Sequence, residues 1–217
     1  MEVVNLKSSN YIGQEEDNEK FSQHLTLVDK DLQNLRYELN KVIRYFRGKS
    51  FNDINLGSIG LGKGASAPGN VVISSTNIEV LGFDGGATTE QAYGTIELIH
   101  GYKEGTVIHP HIHWMPTTDG IGNVRWQLEY AITNLSSAIV SSTTIAVSSS
   151  ATGIAWREIF TDFPEVSGTN LTIGNQICFR LFRVPTGVDN YADDAAVLTI
   201  GIHYEQDSLG SSEETSK

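Results

Sequence analysis

Three histidines alternate within one short segment, His109-Pro110-His111-Ile112-His113, and they are the residues whose types and spacing most suggest chemistry. In an extended strand alternate side chains share a face, so the three imidazoles are expected to project the same way. Neutral imidazole is a ligand for zinc and other borderline divalent ions, and two such ligands begin a metal site.

Gly105 followed by His111 and His113 matches the opening G-x5-H-x-H of the cupin metal motif, to which this segment is similar. That resemblance implies a metal-dependent enzyme using His111 and His113, and it also requires a glutamate shortly afterwards. The text there is WMPTTDG, and Asp119 beyond Pro116 is the nearest acid. A remote His203 is the available substitute. Without the glutamate, His109, His111 and His113 read as a polar strand face, an inter-subunit contact, or an axial or structural ion site in a symmetric oligomer. No metal site and no catalytic residue is assigned, and no cofactor is expected. Gly57, Gly62 and Lys63 satisfy G-x-x-x-x-G-K, but Gly64 stands where the metal-binding Ser or Thr belongs and no helical pattern follows, so a phosphate loop is rejected. There is no G-x-S-x-G elbow. Asp193-Asp194 and Glu213-Glu214 read as solvated charge. Cys178, alone in the chain, reads as a small buried hydrophobe, and Trp114, Trp126 and Trp156 read as strand residues of a core.

The elements that must position these histidines are short strands. Past Asn70, apolar alternation predicts strands at 71–74, 78–83, 94–100, 106–115, 123–133, 139–147, 155–163, 176–184 and 196–205. The clearest is Val124, Trp126, Leu128, Tyr130 and Ile132 against Arg125, Gln127 and Glu129. Asp84-Gly85-Gly86, Asp119-Gly120 and Ser167-Gly168 supply turns between them. Strands at this spacing predict an antiparallel, jelly-roll-like β-sandwich, here a head spanning 71–205 with a polar C-terminal tail at 206–217.

Residues 21–47 carry a different period. Phe21, Leu25, Val28, Leu32, Leu35, Leu39, Val42 and Phe46 recur at alternating gaps of four and three, the a/d seam of a heptad repeat. With Leu25 at a, a parallel pairing sets Asp31 against Arg36 and His24 against Asp29 of the neighbouring helix. Exposed pairs of this kind contribute about 0.2–1 kcal/mol each. The seam is narrower than the stripe of a helix that packs on its own domain, so a parallel coiled-coil homo-oligomer is expected. Leucine at a with valine or leucine at d leaves two and three strands open. Asn18 or Ser22 is the expected cap and Gly48 the stop. The expected remainder is an extended attachment arm at 1–20 and a Gly/Ser-rich linker at 48–70.

The chain has 217 residues, 39% of them hydrophobic and 9% aromatic, enough for one domain with appendages. Its net charge of −11 and pI near 4.9 disfavour nucleic acid and anionic lipid as partners. The first residues, MEVVNLKSSN, lack an apolar leader, and no run is long enough to span a bilayer, so synthesis in a cytoplasm and no membrane insertion are expected.

The block HPHIHWMPTTDGIGNVRWQLEYAITN, the later FRLFRVP and DNYADDAAVLTIGIHYE, and the closing DSLGSSEE resemble a group of small virion proteins of tailed bacteriophages. The resemblance covers about the last half of the chain. It implies a mainly β, jelly-roll-like module displayed on a virus particle, without enzyme activity. With the coil it implies a homotrimeric head fibre or capsid decoration protein. Residues 1–20 would grip a capsid or tail partner, and the head would face host-surface glycans. A tail fibre or tail adaptor is the alternative placement.

Overall fold

The computed structural model describes residues 8–214 and 216 except Ala87, Leu135, Val140 and Thr186; side chains within the helix are described for 16–43. The chain divides into two units at Gly48 and Lys49.

The first unit is a single helix, α1 (Ser8–Arg47, 40 residues). At about 1.5 Å per residue it is roughly 60 Å long. It ends at the residue before Gly48, as the stop signal predicts. The expected arm at 1–20 is corrected: residues 1–7 lie outside the described set, and 8–20 are helical. Apolar periodicity is absent there, but helix propagation needs only favourable residues. Gln14-Glu15-Glu16-Asp17-Asn18-Glu19-Lys20 supplies several, with Glu16 and Lys20 at the favourable i,i+4 spacing. Asn18 and Ser22 therefore lie inside the helix rather than capping it. The Ser22 carbonyl accepts a bond from Thr26 Oγ1 at 2.9 Å.

The second unit is a sandwich of two antiparallel sheets. Its strands are β1 (Ser50–Gly57), β2 (Gly62–Lys63), β3 (Gly69–Val72), β4 (Glu79–Phe83), β5 (Gln91–Glu97), β6 (Ile108–Pro116), β7 (Ile121–Thr133), β8 (Thr143–Thr152), β9 (Ile159–Asp162), β10 (Gln176–Arg183) and β11 (Ala195–Gln206). One sheet runs β3-β4-β11-β6-β9, with β1 also on β11; the other runs β2-β5-β10-β7-β8. β4 and β1 occupy successive parts of one β11 edge, meeting Ala195–Val197 and Thr199–Gln206 respectively.

The linker expected at 48–70 is also corrected. β1 alternates: Ile54 and Leu56 pack against the core, while Phe51, Asp53 and Asn55 take the opposite parity. Polar outward residues and flanking glycines masked that alternation in the sequence. Gly57 ends β1, and Gly62 and Lys63 form β2 against Tyr93 and Ala92, so the phosphate-loop lookalike is sheet edge. The strand expected at 139–147 is shifted to Thr143–Thr152, because Ser148, Ser149 and Ser150 pair with β7 although they read as loop.

Between the sheets, Trp114 on β6 and Trp126 on β7 are fully buried and meet edge to face at 5.9 Å. Phe83 meets Trp126 at 5.4 Å, and Trp114 Nε1 donates to Thr161 Oγ1 at 3.0 Å. Trp156 is not in a strand: it occupies a turn, half-buried, with φ of +62°. Cys178 is half-buried rather than buried, because its position on β10 alternates with the buried Ile177 and Phe179.

Candidate functional site

β6 has two chemically distinct faces. Pro110, Ile112 and Trp114 are buried, and His109, His111 and His113 take the alternate, outer positions. Register brings other polar residues beside them. On β11, His203, Gly201 and Thr199 sit opposite His109, His111 and His113. On β1, Asp53 and Asn55 sit opposite His203 and Gly201, and on β9 Asp162 and Phe160 sit opposite His111 and His113.

His111 is fully buried although it lies on the outer face. The His203 ring stacks on it at 4.2 Å, Phe160 lies 5.2 Å away, and His113 is edge-on at 5.4 Å. Gly201 makes this burial possible. A Cβ there would lie 2.7 Å from His111 Nε2 and 2.1 Å from Asn55 Oδ1, so His111 occupies the space a side chain on β11 would fill. Through that gap His111 Nε2 comes within 3.6 Å of Asp53 Oδ2, and His203 Nε2 lies 3.6 Å from the same oxygen. Asn55 Nδ2 donates to Asp53 Oδ2 at 2.6 Å, and His111 Nδ1 lies 3.4 Å from the His109 carbonyl. Two buried atoms of the cluster, His111 Nε2 and Asp53 Oδ1, have no hydrogen-bond partner among the described residues. Burial, reinforced by His203, pushes the His111 imidazole below the ordinary histidine value; Asp53 pulls the other way.

The three histidines of β6 therefore share a face but do not form one donor set. His109 is 3.6 Å from Glu165, and His113 Nδ1 is 2.5 Å from Glu158. Among the described residues, the donor atoms that converge are those of Asp53, His111 and His203, all within 4.8 Å of one another. His113, which the metal-motif resemblance pairs with His111, is not among these three, and its Nδ1 is engaged by Glu158. His203 was visible in the sequence as a remote donor. Asp53 was hidden in the apparent linker, and the alternation of β1 is the signal that exposes it.

A second buried polar cluster lies at the end of β10. Arg183, fully buried, donates to both Asp189 carboxylate oxygens at 2.8 and 2.9 Å, and to the carbonyls of Phe83 and Asp193 at 2.9 and 2.7 Å. It also donates to the Tyr191 carbonyl. Asp189 Oδ2 accepts the Arg125 N–H at 2.7 Å as well. Nothing in the sequence pattern distinguishes Arg183 from a solvated arginine.

On α1, Phe21, Leu25, Val28, Leu32, Leu35, Leu39 and Val42 are each between 48 and 67% exposed. Leu32, Leu35 and Leu39 line a groove shared with Asp29 and Arg36, the charged e positions of the heptad reading. The Phe46 side chain lies outside the described residues. No helix among the described residues is long and apolar enough to cross a membrane.

No protein-family model matches the chain, and no curated protein matches it in sequence. Among solved structures, the infectious bursal disease virus Gx strain structure is similar at 9% identity and a TM-score of 0.37 over 74% of this chain, which spans 34% of that one. The CBM22-1 xylan-binding domain from Paenibacillus barcinonensis is similar at 8% identity and a TM-score of 0.35, over 75% of this chain and 99% of that domain. The enzymatically active domain of bacteriophage CBA120 tailspike protein 4 is similar at 12% identity and a TM-score of 0.32, over 71% of this chain and 19% of that one.

Proposed function

We propose that this chain is a structural protein of a tailed-bacteriophage virion: a short homotrimeric head fibre or decoration protein with a self-associating helical stalk and an outward-facing β-sandwich. The observation that carries the reading is the row of seven exposed heptad residues on α1. An isolated helix is marginally stable in water, whereas burying each of these side chains contributes roughly 1.5–3 kcal/mol. A second and third copy of the same helix fit the row, because the four-three spacing is self-complementary and Asp31 meets Arg36 across a parallel pair. The block from His109 to Asn134 and the segments after it, with their resemblance to small virion proteins, support placing the assembly on a phage particle.

In this reading the N-terminal residues hold a capsid partner and the chain has no enzymatic activity. The sandwich contributes exposed aromatic surface, including Phe51 and Phe160, 53 and 46% exposed, for contact with host-surface glycans. A tail fibre or tail adaptor differs only in the partner, and labelling the C-terminus on intact particles distinguishes the two. Light scattering is the direct test of the stalk. The expected mass is three times 23.7 kDa, and a monomer at micromolar concentration would remove the basis of the proposal. Leu32→Asp with Leu39→Asp places charge in the seam and should dissociate the oligomer while the sandwich stays folded. Array binding by the full chain tests the glycan contact.

A further inference from the structure

We propose that Asp53, His111 and His203 form a divalent transition-metal site of the zinc type, with three protein ligands and at least one coordination position left for water or another small ligand. The donor set is two imidazole nitrogens and one carboxylate oxygen, which suits a borderline ion better than calcium or magnesium. Zinc–ligand distances are about 2.0–2.2 Å, so ligands around one tetrahedral ion stand about 3.4 Å apart. Two edges of the triangle, from Asp53 Oδ2 to each Nε2, are already 3.6 Å. The third is bounded by 4.8 Å and closes by a turn of the half-exposed His203 ring.

A cation satisfies the polar accounting when the His111 proton sits on Nδ1. With its proton on Nδ1, facing the His109 carbonyl, His111 presents a bare lone pair at Nε2, and Asp53 Oδ1 is an acceptor too. Two acceptors cannot satisfy each other, and leaving them buried without a donor is costly. The surroundings resemble the supporting shell of a metal site: the His109 carbonyl faces His111 Nδ1 at 3.4 Å, and the Asn55 amide donates to Asp53 Oδ2. Gly201 completes it by leaving the crossing space open. His203 also lines an open depression of about 540 Å³ with Phe51, His109 and Glu165. An ion there would tie β1, which pairs with β11, to both β11 and β6.

The test uses tag-free full-length protein, stripped with chelator and dialysed against micromolar zinc, with metal counted per chain by mass spectrometry. One zinc per chain and a higher melting temperature than in chelator are expected. His203→Ala and Asp53→Asn alter partly exposed side chains and should weaken zinc binding by at least about tenfold, leaving melting in chelator unchanged. Cobalt(II) in place of zinc should give a visible absorption band that both variants lose. No retained zinc, unaltered affinity in both variants, or one ion per three chains would overturn the proposal. So would loss of the ion when the Leu32→Asp, Leu39→Asp protein dissociates, since all three ligands belong to one chain.

Discussion

Arg183 and His111 are both fully buried and both ionisable, and both belong to the same sandwich. Arg183 donates to two carboxylate oxygens and three backbone carbonyls, and its partner Asp189 accepts a further backbone N–H. His111 faces a carboxylate at 3.6 Å and leaves its Nε2 without a partner. A buried polar group whose partners are all present holds a fold together. One whose partners stand a little too far apart contributes less to the fold and leaves room for a water or an ion.

The largest effect that separates them is expected from Arg183→Met, which leaves Asp189 buried and unpaired. Chemical denaturation should show a loss of about 3–5 kcal/mol. Next is Gly201→Ala, whose methyl group meets Asn55 Oδ1 and His111 Nε2. Overpacking of this kind costs about 1–3 kcal/mol, and the same variant should lose bound zinc. His111→Leu sharpens the contrast most: measured in chelator it should change stability by less than about 1.5 kcal/mol, because it removes a polar atom that has no partner. A loss as large as that of Arg183→Met would mean that His111 is already satisfied.

The smallest effect concerns the carboxyls bordering the Arg183 cluster. Burial pushes Glu90 and Asp194 above the ordinary carboxylate values, against the pull of Arg183. A raised carboxyl keeps its proton in the folded chain at a pH where the unfolded chain has released it. The cost of its ionised form is thus present near neutral pH and disappears as pH falls through the raised value to below 4.5. Glu90→Gln should therefore be slightly more stable than the parent near neutral pH, with the advantage shrinking on acidification. Melting curves across that range check it.

The legible parts of the fold were those with a period of their own. Strand alternation located β7 and β10 almost to the residue, and the heptad spacing marked the C-terminal two thirds of α1. β1 was missed because its outward positions, Phe51, Asp53 and Asn55, mix aromatic and polar residues between glycines and serines. The serine-rich end of β8 was missed because an edge strand needs no apolar outer face. The first turns of α1 were missed because a helix continues on propensity where it has no stripe to bury.

From the sequence alone came the sandwich, the helix with its heptad-spaced apolar row, and the common face of His109, His111 and His113, since each depends on spacing along one element. Which histidine meets which carboxylate was decided by the tertiary structure. Asp53, His111 and His203 lie on three strands far apart in the chain, and only the register across β1, β11 and β6, with Gly201 leaving space between them, brings their lone pairs together. Pairing between distant strands depends on the whole core packing at once, and no local pattern encodes it.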